Sequence, residues 1–394
     1  MRPSVYWLFV FIPLAAILDH AGNVPPPVIF FSAALAIVPV ALLIVRSTEQ
    51  IAKRTGDAVG GLLNATFGNA PELIIALVAL KAGYADMVRA SIIGAVLANL
   101  LLALGMAFFF GGLRYRDQKY NPAAARIYSS MMLLAAASLA VPSAFSRYFA
   151  PEGTIPQEQL LNLGIAGVLL LTYALYLLFS LKTHPGAFAS EGDEEGSHGE
   201  SKRWSMPRAS LALAGASVLA AWMSEILVGV AEGTGKALGM SQIFIGIVFL
   251  AIIGGAAESG SAIAVARKDK MDLSVGITLG SSIQMTLFVA PVLVFSSYLI
   301  APQPLELSFG RVALHRRIHR HGCLRGRTFQ LVQGRPARNG LHHRRDDVLF
   351  PAGAASVTSK PQVPAHAATM GASVQSLPRL SRLVSKFRGR NFCR

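Results

Sequence analysis

Two stretches of this 394-residue chain decide its fold: GNAPELIIALVALKAGYADMVRASIIG at residues 68–94 and GGAAESGSAIAVARKDKMDLSVGITLG at residues 254–280. They lie 186 positions apart and align without a gap, and eight positions are identical when 60–94 is compared with 246–280. Two of the identical pairs are acidic: Glu72 with Glu258, and Asp86 with Asp272. Small residues recur by chance in apolar helices, whereas two matched acids in one register indicate an internal duplication.

The sequence around both copies is typical of a membrane protein. Hydrophobic residues make up 53% of the chain and charged residues only 14%, whereas about a quarter of the residues are charged in a soluble domain. A helix needs roughly 20 apolar residues to cross a hydrocarbon core about 30 Å thick. Nine segments meet or approach that length: 5–19, 26–46, 57–80, 87–112, 127–145, 159–181, 209–231, 240–266 and 273–300. We therefore predict an all-α fold, a polytopic bundle of membrane helices.

The two copies are predicted to cross the membrane in opposite directions. They fall on the third and the eighth of the nine segments, and an odd separation reverses the direction of crossing. Arg2 and the connections on its side carry 15 basic residues, and the connections on the other side carry four. Because basic connections stay in the cytoplasm, this bias predicts a cytoplasmic N-terminus. We also expect the protein to be integral to a membrane, the inner membrane of a bacterium. Transporters built from such inverted-topology repeats bind their substrate near the midplane.

Composition divides the chain into five predicted regions. They are an N-terminal helix (1–25), a first repeat of helices (26–181), an acidic cytoplasmic loop (182–208), a second, incomplete repeat (209–303) and a basic tail (304–394). The loop is rich in acids, glycine and serine, which favours a solvated linker. The alternative is a loop that weakly collects cations near a cytoplasmic entrance.

Glu72 and Glu258 are the candidate functional residues. A carboxylate near the middle of a membrane span costs roughly several kcal/mol unless it is paired, solvated or protonated. The nearest basic residue to Glu72 is Lys81, nine positions on, so a local salt bridge is not expected. Two such acids brought together would each favour protonation of the other, or they would bind a divalent cation. The alternative is that each acid pairs with a distant helix and only holds the bundle together.

Other polar residues lie where they can complete a site around the acids. Amide and hydroxyl groups offer an oxygen to a cation or hold a carboxylate in place, and four such residues form the predicted supporting shell: Asn69, Asn99, Ser282 and Gln284. The last three could instead serve only as polar contacts between helices. Four residues are predicted to break the helices beside the acids: Gly68, Pro71, Gly254 and Gly255. Oxygen ligands without His or Cys suit Ca²⁺ and, less selectively, Mn²⁺ or Mg²⁺.

At these residues the chain resembles the calcium/proton antiporter family, which is related to the sodium/calcium exchangers. Three stretches carry the resemblance: GNAPELIIALVALKAG (68–83), GAVLANLLLALG (94–105) and GGAAESGSAIAVARKDKMDLSVGITLGSSIQMTLFVAP (254–291). The resemblance extends over about residues 25–305, and two repeat signatures in the same order make it specific.

The resemblance implies that Glu72 and Glu258 bind the cation and exchange protons, with the four shell residues around them. Two positions depart from the family pattern, because Gly255 stands where Asn is usual and Ser259 stands where His is frequent. These departures remove one amide from the shell and leave the paired acids intact.

The function that follows is secondary active transport of Ca²⁺ in exchange for protons, by alternating access and with at least two protons for each Ca²⁺. The alternatives are an antiporter or sensor for Na⁺, K⁺, Mn²⁺ or Mg²⁺, or an inactive truncated product. Ca²⁺, protons and the lipid bilayer are the expected partners, and no cofactor is expected. An enzyme is not predicted, because the sequence has no Gly-rich phosphate loop, zinc-binding His-Glu pair or nucleophile elbow.

The net charge of +15 lies entirely in the last 84 residues. Residues 1–310 hold 19 basic and 19 acidic residues, and the remainder holds 17 basic and two acidic ones. A nucleic-acid-binding tail is one interpretation, but the arginines form no helical stripe and there are few aromatics for stacking, so no nucleic-acid partner is predicted. The family resemblance implies a second half of five helices, as in the first, so two more should follow residue 300, and no apolar run of that length follows.

A shifted reading frame explains this tail better. His codons are CAT or CAC and most Arg codons begin with CG, so reading one base later converts His-Arg into Ile or Thr followed by Ala or Val. Residues 315–320 then permit Ile-Ala-Val-Phe-Ile-Ala, which is membrane sequence. We therefore predict that 304–394 is an aberrant, frameshifted tail, that the second repeat is truncated, and that this chain transports weakly or not at all.

Overall fold

A computed structural model describes residues 5–55, 57–148, 155–184 and 204–307 of the chain. All regular structure in these ranges is helical, which confirms the predicted all-α class. Most of the predicted acidic loop, and the predicted basic tail beyond Leu307, lie outside the described residues.

The described part of the chain forms twelve helices. They are α1 (Val5–His20), α2 (Pro26–Thr55), α3 (Asp57–Phe67), α4 (Ala70–Lys81), α5 (Ala85–Gly112), α6 (Pro122–Tyr148), α7 (Ile155–Leu178), α8 (Met206–Gly229), α9 (Ala231–Leu238), α10 (Gln242–Gly254), α11 (Ala256–Ala266) and α12 (Met271–Ile300).

Six of these helices are long and apolar enough to cross a membrane: α2, α5, α6, α7, α8 and α12. α9 and α10, bent by 113° at a short break, make a seventh span if they are counted together. The sequence analysis predicted nine spans because it treated each continuous apolar run as one helix. The predicted spans 57–80 and 240–266 are each divided in the structure, the first into α3 and α4 and the second into α10 and α11.

Helix boundaries recur at the offset of 186 residues that relates the two sequence copies. α4 and α5 begin at Ala70 and Ala85, and α11 and α12 begin 186 residues later. The two long helices also contain π-helical segments at nearly equivalent positions, Ala98–Ala103 in α5 and Met285–Val289 in α12. Such segments are frequent near functional sites. That the copies run in opposite directions across a membrane stays a prediction.

The turns that follow α4 and α11 have the same backbone conformation. Gly83 has a φ of +84° and Asp269, its equivalent, has a φ of +60°. In the first turn the N–H of Tyr84 donates to the carbonyl of Ala79 at 3.0 Å, and the equivalent bond in the second turn measures 3.2 Å. A left-handed residue followed by this bond is a common way to end a helix.

The core lies where α2, α4, α5, α8, α10 and α12 meet. Its largest fully buried side chains include Phe30, Ile37, Leu80, Met87, Ile92, Met223, Leu227 and Ile245. α5 crosses α10 at two glycines, because a Cβ at Gly94 would overlap the backbone of Ile247 and a Cβ at Gly246 would overlap the carbonyl of Met87. Small residues allow this direct contact between backbones, and such contact stabilises helix pairs in membranes.

After α12 the chain runs extended into the core. Leu305 and Leu307 are 0% and 2% exposed. Asn162 of α7 holds both, because its Nδ2 donates to the Leu305 carbonyl at 2.8 Å and its Oδ1 accepts from the Leu307 N–H at 3.0 Å. Arg89 of α5 donates to the neighbouring Glu306 carbonyl at 3.2 Å. The predicted start of the aberrant tail therefore falls just before a segment that packs as part of the bundle.

Candidate cation site

The first of the two acids lies directly after the break between α3 and α4. Gly68 and Asn69 leave the helical path, and a Cβ at Gly68 would lie 2.7 Å from the Asn64 carbonyl, which explains the glycine. Pro71 occupies the first turn of α4, where its missing N–H breaks no helical hydrogen bond. Glu72 follows in the same turn, and the dipole of a helix favours negative charge there.

The second acid has the same local setting. Gly255, with φ −76° and ψ 7°, separates α10 from α11, as Asn69, with φ −96° and ψ 22°, separates α3 from α4. Glu258 is the third residue of α11, as Glu72 is the third residue of α4. Both acids therefore lie inside a long apolar segment of the sequence but at the start of a helix, where backbone N–H groups stabilise a carboxylate.

The two breaks face each other across the bundle. A Cβ at Gly254 would lie 2.8 Å from Cγ of Glu72, so only glycine leaves room for that side chain. A Cβ at Gly255 would lie 3.8 Å from Oε1 of Glu72 and 3.6 Å from Oδ1 of Asn99. The Glu72 side chain thus packs against the second break, where Gly255 lies three residues before Glu258.

Ser281 of α12 connects the polar residues from both copies. Its Oγ accepts a hydrogen bond from Nδ2 of Asn99 at 2.9 Å, lies 2.9 Å from Oδ1 of Asn69 and contacts a carboxylate oxygen of Glu258. Asn69 in turn donates from Nδ2 to Oε1 of Gln284 at 2.6 Å. Three of the four predicted shell residues therefore join Glu258 in one network.

Ser282, the fourth predicted shell residue, lies outside this network. Its hydroxyl donates to the Thr278 carbonyl at 2.9 Å on its own helix. Successive residues of a helix point about 100° apart, so adjacent serines face different neighbours. Sequence reasoning missed Ser281, although its spacing was informative: Ser281 lies three residues before Gln284, and residues three apart share a helix face.

The surroundings of the two acids are not equivalent. Each polar residue of the network corresponds, at the offset of 186, to a small or apolar residue: Asn69 to Gly255, Asn99 to Met285, Ser281 to Ala95 and Gln284 to Ala98. Glu258 contacts Ser281 and is partly exposed. Glu72 is only 6% exposed, and its Oε2 has no hydrogen-bond partner among the described residues.

The oxygen atoms gathered here suit a hard cation. Two carboxylates, amide oxygens and one hydroxyl are the ligand types that Ca²⁺ prefers. A cavity of about 10 Å³ beside Glu72, also lined by Ser91 and Ala95, admits roughly one water-sized ligand. Within the described part of the chain, no group of three or more His, Cys, Asp or Glu could hold a resident metal.

An apolar helical bundle with two broken helices that bring paired acids together defines a membrane transporter of cations. The chain belongs to the sodium/calcium exchanger protein family, which matches residues 26–182 and 209–314. The match to the second half extends past Leu307, where the described residues end.

Relatives and solved structures support the same assignment. A Ca²⁺/H⁺ antiporter from Aphanothece halophytica is 39% identical over 317 residues, which are 77% of this chain and 84% of that protein. A Ca²⁺/H⁺ antiporter from Synechocystis sp. is 41% identical over 320 residues, with the same coverage of 77% and 84%. The structure of native YfkE superposes with a TM-score of 0.66 at 35% identity and covers 78% of this chain and 86% of that one. The predicted family resemblance is therefore confirmed.

Proposed function

We propose that this protein exchanges Ca²⁺ for protons at Glu72 and Glu258, as an antiporter of the bacterial inner membrane with a cytoplasmic N-terminus. One observation carries the proposal: two acids from equivalent half-helices converge at facing helix breaks, with amide and hydroxyl groups around them. The relatives described above are named Ca²⁺/H⁺ antiporters, which supports Ca²⁺ over the other cations that oxygen ligands can bind.

Exchange follows from competition between Ca²⁺ and protons for the same oxygens. Two ionised carboxylates carry two negative charges, which one Ca²⁺ or two protons neutralise. A protonated pair no longer attracts a divalent cation, and a bound Ca²⁺ repels protons from both acids. Because each state excludes the other, the proton gradient drives Ca²⁺ in the opposite direction, with two protons per Ca²⁺ as the minimum.

The Ser281 hydroxyl can change its hydrogen-bond acceptor when Glu258 gains or loses a proton. A serine hydroxyl has one hydrogen to donate, and Ser281 has two acceptors in reach, Glu258 and Oδ1 of Asn69. When Glu258 is ionised, Ser281 donates to it. When Glu258 is protonated, Glu258 donates to Ser281, whose hydrogen turns to Asn69. Rotation of one hydroxyl therefore accommodates both states of the carboxyl group.

The glycine crossing of α5 with α10 suggests how access alternates. In the predicted topology this crossing lies on the outer side of the site, and it is closed by backbone contact at Gly94. Gly280 of α12 is the equivalent of Gly94, and a Cβ there would meet no atom within 4 Å among the described residues. These observations support a site that faces the cytoplasm, with an α12–α3 crossing that closes when the α5–α10 crossing opens.

Everted membrane vesicles test this function. We expect Ca²⁺ uptake driven by a pH gradient, and we expect Glu72→Gln or Glu258→Gln to abolish it because a neutral amide cannot exchange a proton. Glu225→Gln is the matched control, since Glu225 lies exposed on α8 and its replacement should leave uptake unchanged. Uptake that survives both site variants would refute the proposed site.

Two further arms separate the remaining alternatives. Uptake of Na⁺, K⁺, Mn²⁺ or Mg²⁺ in place of Ca²⁺ would identify an exchanger for another ion, and Ca²⁺ uptake that does not depend on the pH gradient would argue against proton exchange. Because the predicted truncation lowers transport, each variant is also made in a chain whose reading frame is restored after Leu314. Activity confined to the restored chain would identify the present tail as the cause of the loss.

A further inference from the structure

Two arginines lie against one indole ring where α1, α2 and α8 meet. The guanidinium carbon of Arg208 lies 5.0 Å from the centroid of the Trp204 ring, and that of Arg46 lies 5.6 Å from it. Arg46 also donates to the hydroxyl of Tyr6 at 3.0 Å, and the backbone N–H of Trp204 donates to Oε1 of Gln50 at 3.1 Å. Three separate segments of the chain therefore build one cluster, and we call Arg46, Trp204 and Arg208 the arginine notch.

The two positive charges of the arginine notch have no carboxylate partner within the described ranges. The ion pairs found there lie elsewhere, in α5 and α9. Glu49 follows Arg46 by three residues on α2, yet it makes no ion pair with either arginine in the described structure. Each guanidinium has five N–H donors, and among the described residues the Tyr6 hydroxyl is the only acceptor bonded to them. The notch therefore has both charge and donors for an anion.

The arginine notch lies where apolar helices reach the membrane interface. Arg46 ends the apolar stretch of α2, because residues 26–45 include no charged residue, and Arg208 lies in the first turn of α8. Aromatic residues such as Trp204 and Tyr6 collect at the level of the lipid headgroups, and basic residues lie beside them. This end of the bundle is cytoplasmic in the predicted topology. The notch is therefore placed at the depth of a phospholipid headgroup.

Apolar side chains continue from the arginine notch toward the middle of the bundle. Leu211 follows Arg208 by three residues on α8 and is 76% exposed. Leu43 precedes Arg46 by three residues on α2 and is only partly buried. Residues three apart share a helix face, so each leucine lies below the arginine of its own helix, on the side of the hydrocarbon core. A ligand that meets both the arginines and these leucines has an anionic head and an apolar tail.

We propose that the arginine notch binds the phosphate group of an anionic phospholipid, whose acyl chains lie along the surface beside Leu43 and Leu211. Guanidinium groups bind phosphate through paired N–H donors, and contact with one ring brings both of these groups to the same small area. Basic clusters beside a membrane helix attract anionic lipids. A soluble phosphate has no chains to cover the two leucines. This site does not depend on which ion is transported.

Thermal unfolding of the delipidated full chain in detergent tests the lipid site. We expect phosphatidylglycerol to raise the unfolding temperature more than phosphatidylcholine does, because a ligand that binds the folded state stabilises it. Arg46→Gln with Arg208→Gln removes both guanidinium groups and should abolish this difference, through a loss of affinity of about tenfold or more. Arg114→Gln with Arg116→Gln is the matched control, since both arginines are exposed in the linker after α5, and it should keep the difference.

Four outcomes would overturn the proposal. Equal effects of the two lipids on the unmodified chain would mean that the headgroup is not recognised. Loss of the difference in the control chain as well would mean that diffuse charge, and not the notch, attracts the lipid. An equal rise with glycerol phosphate would assign the notch to a soluble phosphate. A rise with an acidic peptide of residues 191–200, and none with lipid, would assign it to protein carboxylates.

The fluorescence of Trp204 gives a check that leaves both arginines in place. The chain has three tryptophans, so Trp7→Phe with Trp222→Phe makes Trp204 the only one. We expect phosphatidylglycerol with brominated acyl chains to quench this fluorescence several-fold more than brominated phosphatidylcholine in the same detergent, because bromine quenches only at short range. Equal quenching by the two lipids would also refute the lipid site.

Discussion

The two copies of the repeat contain the same glycines and use them differently. Gly94 and Gly246 bring α5 and α10 into backbone contact. Gly280 and Gly60 are their identical equivalents. Gly60 packs against the carbonyl of Ala52 in α2, and a Cβ at Gly280 would meet nothing within 4 Å among the described residues.

A residue type can therefore be required by a contact that the described part of this structure does not form. A glycine in the middle of a helix lowers stability by roughly 1 kcal/mol relative to alanine, and Gly94 offsets that loss by letting two backbones touch. Among the described residues, Gly280 makes no such contact. An alternating mechanism gives it one, because the crossing that is open in this structure would close in the opposite state.

The largest expected effect comes from replacing Gly280 or Gly94 by leucine. A Cβ at Gly280 meets no atom within 4 Å among the described residues, so for Gly280→Leu we expect an unchanged unfolding temperature in detergent and loss of Ca²⁺/H⁺ exchange, because the α12 crossing can no longer close. Gly94→Leu should also abolish exchange, and it should lower stability, since overpacking of a well-packed contact costs about 1–3 kcal/mol. Vesicle uptake and thermal unfolding measure the two effects.

Gly105→Leu is the control for this pair. Gly105 lies on α5, and a Cβ there would meet no atom within 4 Å in the part of the chain that the structure describes. Its equivalent is Pro291 and not glycine. Both uptake and stability should be unchanged. If Gly280→Leu transports as well as Gly105→Leu, the α12 crossing does not close during transport and the two crossings do not alternate.

The next effect distinguishes the two adjacent serines. Ser281→Ala removes the hydroxyl that joins Asn69, Asn99 and Glu258, and an unsatisfied buried polar group costs about 1–3 kcal/mol. We expect the KM for Ca²⁺ to rise by about ten- to a hundredfold. Ser282→Ala loses only a bond to its own helix, so its KM should stay close to that of the unmodified chain. Equal effects would show that the network does not hold the ion site.

Whether a residue of this site could be predicted from the sequence depended on how unusual its residue type is in a membrane helix and on its spacing from the acids. Glu72 and Glu258 were found because intramembrane acids are rare, and Asn69 because it precedes an acid by one helical turn. Choosing between Ser281 and Ser282 required the orientation of α12 about its own axis, and contacts with neighbouring side chains determine that orientation. The covering of α12 by α6 and α7 could not be predicted either, because apolar residues that face lipid and apolar residues that face a neighbouring helix have the same composition.

A smaller effect is expected where the second break lacks the amide of the first. Gly255 is the equivalent of Asn69, and a Cβ there lies near both Glu72 and Asn99. Gly255→Asn adds an oxygen ligand and a donor to this space, and one neutral hydrogen bond contributes about 1 kcal/mol. We expect the KM for Ca²⁺ to fall several-fold. Gly255→Ala is the control, and a similar fall for alanine would mean that the amide is not the cause.

The smallest effect concerns the two turns with equivalent backbone. Gly83 and Asp269 both have a positive φ, which is unfavourable for a residue with a Cβ by about 1–2 kcal/mol. A Cβ at Gly83 would make only an ordinary contact with Pro302, 3.6 Å away, so Gly83→Ala should lower the unfolding temperature by a few degrees through the backbone alone. Asp269→Gly relieves the same strain and loses a hydrogen bond from Gln118, so its unfolding temperature should change less. In a helical turn Gly→Ala stabilises a protein by restricting the unfolded chain; a rise in the unfolding temperature of Gly83→Ala would therefore mean that the first turn is not left-handed and that the two turns are not equivalent.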